Sequence, residues 1–547
     1  MRLTPIVVAA SLVFGCRPSA VSAPTPSHAT APTADNGTAV LRPRIITETL
    51  TPPPVIALPS VPIDANPDGA PPVNRATTPP ALHDLGRFVD SLVGHPMFRT
   101  SHWGVVIFDP ALGDTLYSWN AGKLFMPASN IKLVTGAVAL AQLGADYRYE
   151  TRVLGRAPTG DGTMQGDLVV IGRGDPSVSD SLAGSAMRPL REFADSLVAR
   201  GVKRIAGRLI RGADAFPDST LGRGWAWDGL DEGYSAPVDE LLFNEGFARI
   251  TVFGGANPGD PVRVRTAPAT TVPVISSVGV TTDRNCCMIR SRVTWTGDVR
   301  GARPSVALQG TVRARDSVTV SVALRNPAGA YLDAFAEALR ERGISVVGGV
   351  EANALADTVG LIQLASRRSP PLSAILTAFQ KPSQNQIGEI LLKTLGLERG
   401  GGGTSDSGRA VIVRQLTAWG IDSSGYAVRD GSGLSRHNYL SPETIVRLLE
   451  LMRLRDDFAV FFESLPIGGV DGTIRERMRG TLAADNVRAK TGTLDKARSL
   501  SGYVTSADGH VLIFSLLSNN HVVPTREVER VQDAIVAYLA AMDAGRR

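Results

Sequence analysis

Residues 126–143, MPASNIKLVTGAVALAQL, constrain the chain more than any other stretch. Ile131, Val134 and Val138 recur at three- and four-residue steps, Gly136 is the one breaker in the run, and Gly144 stands where a helix would stop. Apolar residues at that period predict a buried helix. Its first turn carries two polar side chains, Ser129 and Lys132, which at i and i+3 share a face and lie close enough to touch. A hydroxyl beside an amine is the minimum set for an activated nucleophile: the serine attacks and a neutral lysine takes its proton. The plainer reading makes Ser129 a helix cap and Lys132 a surface charge.

Composition separates the two readings. Of 57 basic residues only seven are lysine (positions 123, 132, 203, 381, 393, 490 and 496), so this chain writes its solvated positive charge as arginine. A lysine at a motif position is then needed as an amine, because arginine does not deprotonate at working pH and lysine does when its surroundings lower its pKa.

The 547 residues are enough for two or three domains. The net charge of +5 is scattered, without a Lys/Arg block or interleaved aromatics, which argues against a nucleic-acid partner. The three cysteines, Cys16, Cys286 and Cys287, form no Cys-x-x-Cys, and the seven histidines have no ligand spacing, so neither a metal nor another cofactor is expected.

Along the chain, residues 1–16 hold Arg2, an apolar run and Gly15-Cys16, the pattern of an export signal too short to span a membrane. Val-Phe-Gly-Cys resembles a bacterial lipoprotein cleavage site, which would make Cys16 a lipid anchor; the alternative is ordinary cleavage near Ala20 or Ala23. Residues 17–81, rich in Pro, Ala and Thr, read as an extended tether. Folded structure is expected from 82, with a helix over 82–93 and strands over 103–108 and 115–119 ahead of the 126–143 helix. From 147 to 326 short β-like runs dominate, interrupted by one helix over 187–200. Helices return after 326, and the chain closes on a strand over 511–517 and an amphipathic helix over 525–542. The expectation is one α/β domain, 82–146 with 327–547, split by a β-rich accessory insertion over 147–326.

Three short motifs fall in order: Ser129-Asn130-Ile131-Lys132, Ser383-Gln384-Asn385 and Lys490-Thr491-Gly492-Thr493. Each alone is common, and together they make an acyl-transfer site. Ser129 is the nucleophile and Lys132 its base. Ser383 relays the proton to the leaving amine, and Asn385 bonds a substrate amide. Lys490 adds positive charge that keeps Lys132 neutral and attracts a carboxylate, to which Thr491 and Thr493 offer hydroxyls. The N–H groups of Ser129 and Thr493 would form an oxyanion hole, and the edge of the strand carrying Lys490 can pair with an extended peptide.

With these motifs, and with PASNIKLVTGAVAL, GDLVVIGRGDPS, YSAPVDELLFNE, DGSGLSRHNYLSP, LPIGGVDGTIRERM and AKTGTL, the sequence from about residue 82 onward resembles the DacB-like D-alanyl-D-alanine carboxypeptidase/endopeptidases, class C low-molecular-mass penicillin-binding proteins. The 254 positions between Ser129 and Ser383 exceed what a compact serine β-lactamase needs and match the inserted domain, or pair of domains, of that family. The resemblance implies an α/β (α+β) transpeptidase sandwich of the penicillin-binding/serine β-lactamase type. It further implies exported enzymes that cleave peptidoglycan stem peptides or cross-links and are acylated by β-lactams at Ser129. Gln384 stands where Asp or Asn is usual, and His437 reads as part of the active-site wall. Competing readings are a related β-lactamase or esterase, a penicillin-binding sensor without turnover, and a structural peptidoglycan-binding lipoprotein.

Overall fold

The computed structural model describes residues 82–268, 273–283, 291–297 and 305–544. The expected signal and tether, Cys16 and the Cys286-Cys287 pair lie outside the described residues.

A five-stranded antiparallel sheet organises the first body, in the order Arg488–Leu494, Ala497–Thr505, Val511–Asn519, His102–Asp109, Asp114–Trp119. Side chains along a strand alternate between faces, and here both faces are apolar. Val105, Ile107, Leu512, Phe514 and Leu516 meet the first helix, Leu82–Val93, and the last, Thr525–Ala541. Val106, Ile513, Leu517 and Tyr503 face the opposite way, into a larger core built by helices Ile131–Leu143, Leu372–Gln380, Asn385–Arg399, Ser405–Ala418 and Pro442–Arg453. The helix predicted over 126–143 is thus the centre of a three-layer α/β sandwich, and its residues Ile131 to Leu140 are all buried.

A second sheet runs Val350–Leu355, Leu209–Arg211, Leu168–Ile171, Glu150–Gly155, Ile362–Arg368. Helices Met187–Ala199 and Pro327–Glu341 cover it, with Phe193, Leu197, Leu332, Phe335 and Leu339 in the shared core. Two three-stranded sheets, one holding Phe247–Phe253 and the other Ser305–Arg313, enclose a smaller core of Ile250, Val252, Val306, Leu308 and Val322.

The pairing moves one expected boundary. The second sheet takes in strands as late as Ile362–Arg368, which pairs antiparallel with Glu150–Gly155, and helix Pro327–Glu341 belongs to the same core. The chain therefore returns to the first body after Arg368 rather than at 327. Two short strands follow one another over 204–211: Arg204–Ile205 joins Thr163–Met164, whereas Leu209–Arg211 joins Leu168–Ile171. Asp167 interrupts the ladder between them, its Oδ1 accepting the Arg208 N–H at 2.7 Å.

Phe335 is fully buried and lies 5.8 Å, centroid to centroid, from Phe193. Phe335→Ala should cost about 3–5 kcal/mol of the second body's stability. Urea unfolding followed by fluorescence would show this as a lowered midpoint, and an unchanged midpoint would contradict the packing described.

Candidate active site

Ser129 sits in the 3-10 turn Ala128–Asn130, directly ahead of helix Ile131–Leu143. Ala128 has φ 48, a left-handed conformation uncommon for a residue with a Cβ and often found where surroundings impose it. Those surroundings are two close approaches. On one side a Cβ at Gly433 would lie 2.0 Å from the Ala128 carbonyl oxygen. On the other, a Cβ at Gly492 would lie 2.4 Å from the Pro127 oxygen and 3.0 Å from the Ser129 nitrogen. Only glycine allows the strand Arg488–Leu494 to pass this near the Ser129 amide. Two hydrogen bonds fasten the strands to the turn: Ser499 Oγ donates to the Pro127 carbonyl at 2.7 Å, and Asn130 Nδ2 donates to the Lys490 carbonyl at 2.8 Å.

Lys132 projects from the first turn of the helix and is fully buried. Its Nζ lies 3.0 Å from Ser129 Oγ and 2.7 Å from Asn385 Oδ1, and it donates a short hydrogen bond to the Ser432 carbonyl. Burial disfavours the ammonium and pushes its pKa down to about 7, against the opposing pull of Asp430 and Glu389. The amine is therefore substantially neutral near neutral pH, and its lone pair has a hydroxyl proton within reach.

Lys490 is equally buried; its Nζ donates to Ser383 Oγ at 2.8 Å and to the Thr491 carbonyl at 3.0 Å. Burial, and then repulsion from Lys132, hold its pKa well below the usual lysine range. Ser383 has φ 62, a second left-handed residue at the site. Gln384 is the N-cap of helix Asn385–Arg399, its side-chain oxygen accepting the Ile387 N–H at 3.1 Å. A capping acceptor is what Asp or Asn would also supply there, so glutamine meets the local requirement.

The three motifs thus converge. Ser129, Lys132 and Asn385 form one hydrogen-bonded group, Lys490 and Ser383 a second, and Asn130 joins the first motif to the third. Both ends of the Asn385 amide are occupied, because its Nδ2 donates to the Tyr234 carbonyl at 2.8 Å. Thr491 Oγ1 lies 2.7 Å from Thr473 Oγ1, Thr493 is exposed on the outermost strand of the sheet, and His437 is exposed beside this region.

The stretch DGSGLSRHN, read from the sequence as active-site wall, forms the turn behind Lys132, but the sequence motifs assigned no role to two carboxylates there. Asp430 is buried and gathers four donors: Gly433 N at 2.8 Å, Asn438 Nδ2 at 2.7 Å, Ser435 N at 2.6 Å and Trp225 Nε1 at 3.0 Å. Buried Glu389, from helix Asn385–Arg399, accepts the N–H groups of Gly431 and Ser432 at 3.1 and 2.9 Å. The available signal was one charged residue inside the apolar run IGEILL.

Among the described residues one carboxylate group, Asp214, Asp239 and Glu240, is close enough to share a cation. The Arg211 guanidinium already lies 3.6, 3.1 and 3.0 Å from these three side chains and supplies countercharge. Among the described residues, no helix is long and apolar enough to cross a membrane.

Known proteins resemble this chain over nearly all its described length. A D-alanyl-D-alanine carboxypeptidase from an Actinomadura species is 34% identical over 489 residues, covering 86% of this chain and 87% of that protein. The D-alanyl-D-alanine carboxypeptidase DacB of Haemophilus influenzae is 26% identical over 424 residues, covering 77% of this chain and 86% of its own length. The crystal structure of penicillin-binding protein 4 from Haemophilus influenzae superposes with a TM-score of 0.69 at 24% identity, covering 83% of this chain and 99% of the other, and shares the fold. Since the profile of the D-Ala-D-Ala carboxypeptidase 3 (S13) family matches residues 85–542, and the Actinomadura enzyme matches at full-length scale, the chain belongs to that family.

Proposed function

We propose that this protein is a serine D-alanyl-D-alanine carboxypeptidase and DD-endopeptidase of peptidoglycan stem peptides, working through an acyl-enzyme on Ser129. The observation that carries the reading is the buried Lys132 amine, 3.0 Å from Ser129 Oγ with its pKa pushed down to about 7. The Ser129 hydroxyl passes its proton to Lys132 Nζ as Oγ bonds to the penultimate D-Ala carbonyl carbon. The oxyanion is held by the N–H groups of Ser129 and Thr493. When the C–N bond breaks, Ser383 relays a proton to the departing amine. That amine is terminal D-Ala in the carboxypeptidase reaction and the cross-linking residue in the endopeptidase reaction. Water then hydrolyses the Ser129 ester.

The terminal carboxylate is received by Lys490, Thr491 and Thr493, with Gly492 leaving the strand room beside the nucleophile. Burial, and then repulsion from Lys132, press the Lys490 pKa down. A substrate carboxylate brings a countercharge that favours its ammonium. Asn385 bonds the substrate amide and holds the Lys132 amine. A β-lactam acylates Ser129 by the same attack, but its amine stays tethered to the acyl group.

The same reading treats 82–146 with the residues after Arg368 as the catalytic domain and the intervening segment as an accessory insertion. It assigns residues 1–16 as an export signal and Cys16 as a lipid anchor in the cell envelope, with 17–81 as the tether. If so, Cys16→Ala should move the full-length protein from the membrane fraction to the soluble fraction of the producing cell. Wild type recovered wholly in the soluble fraction would remove the anchor from the reading.

The test of activity is D-alanine release from a muropeptide pentapeptide, and splitting of a cross-linked dimer, by wild type and by Ser129→Ala. Wild type should act and the variant should lose at least ~10³-fold. Wild type that is acylated by labelled penicillin at Ser129 but releases no product would instead mark a sensor.

Acylation should also follow the protonation of the base. Only neutral Lys132 accepts the proton, so the penicillin acylation rate constant should rise with pH through about 7 and level off above it. A rate constant flat from pH 5 to 9 would exclude Lys132 from this role.

A further inference from the structure

The mechanism above leaves unused Asp430 and Glu389, the two buried carboxylates that act on Lys132. Asp430 is committed to three donors of its own turn, from Gly433, Ser435 and Asn438, and to Trp225 Nε1 from far upstream. Glu389 is committed differently. Its Oε1 accepts both the Gly431 and the Ser432 N–H, and the carbonyl of that same Ser432 receives the Lys132 amine. The Gly431 carbonyl in turn accepts Thr135 Oγ1, from the nucleophile helix, at 2.9 Å. One peptide segment therefore has its N–H side on Glu389 and its C=O side on the helix that carries Lys132.

We propose that Glu389 is a positioning residue for acylation: it holds the Gly431–Ser432 backbone so that the Ser432 carbonyl grips the Lys132 amine, and its carboxylate charge controls how readily that amine becomes neutral. This rests on the reading of Lys132 as the base.

The charged neighbours set the sign. Lys132 faces Asp430 and Glu389, whose negative charges favour the ammonium, and Lys490, from the strand at the sheet edge, which opposes it. Glu389 faces Asp430 from the turn and Lys393 from its own helix. Lys393 is itself occupied by Asp218 and by the Ser219 carbonyl at 2.9 Å. Burial, with Asp430 beside it, pushes the Glu389 carboxyl up to about 8, so Glu389 titrates in the range where Lys132 loses its proton. Each anion formed on Glu389 makes the Lys132 ammonium harder to deprotonate. Wild-type Lys132 therefore reaches its neutral form over a broader span of pH than an isolated amine would.

The test measures the penicillin acylation rate constant of the full chain between pH 5 and 10 for wild type, Glu389→Gln, Glu389→Ala and Lys132→Arg. Glutamine keeps an oxygen for the two N–H groups and removes the charge. Its acid limb should move to lower pH by ~0.5 unit and follow a single proton. Alanine removes the acceptor as well, so its plateau should fall ~10-fold or more below that of Glu389→Gln. A Glu389→Gln limb that superimposes on wild type overturns the proposal. So does a wild-type limb that fits one proton cleanly, and this second readout does not depend on either variant folding. If wild type shows no acid limb, or Lys132→Arg acylates normally, it is the reading of Lys132 as base that fails.

Discussion

The site depends on keeping a lysine amine out of water. Lys132 carries a charge that burial disfavours, and burial is what pushes its pKa down to about 7. Burial requires layers on every side, and the central helix Ile131–Leu143, walled by sheet and helices, supplies them. Once buried, the neutral amine must satisfy its two hydrogens, and Asn385 Oδ1 and the Ser432 carbonyl accept them, leaving its lone pair toward Ser129 Oγ. The fold is thus the means of bringing one hydroxyl, one amide and one peptide carbonyl to the same nitrogen.

Left-handed residues mark where this convergence is forced. Ala128 precedes Ser129 and Ser383 opens the second motif, and both carry a Cβ in a conformation that normally favours glycine. Each is held by neighbours rather than by its own preference: the glycines opposite Ala128 press the turn from both sides, and Lys490 fixes the Ser383 hydroxyl. Strain at these points is the local cost of bringing the Ser129 and Ser383 hydroxyls against the two buried lysines.

Much of this was legible before the structure. The 3.6-residue period of 126–143 announced a buried helix, the scarcity of lysine singled out Lys132, the third motif singled out Lys490, and the first helix falls where its amphipathic pattern placed it. The accessory body was legible as β-rich but not in its extent. Strand Ile362–Arg368 is defined by pairing with Glu150–Gly155, far upstream, and no local pattern announces a partner at that distance. Val274–Asp283, VISSVGVTTD, lacks the alternation that identifies a half-buried strand. Glu389 and Asp430 escaped for a related reason. A buried carboxylate is recognised by the backbone N–H groups it collects, and those come from a turn whose shape the sequence does not state.

The accessory segment is also part of the site. Trp225 donates to Asp430, the Tyr234 carbonyl holds Asn385, and Gly233 and Ala236 hold the Gln386 side chain. Excision of the insertion would therefore not leave a smaller enzyme of the same kind, because Asn385 would lose the group that fixes its amide orientation and Asp430 one of its donors. The loop carrying Trp225 and Tyr234 is thereby coupled to the buried amine: a change in it reaches Lys132 by way of Asn385, which bonds both the Tyr234 carbonyl and Lys132.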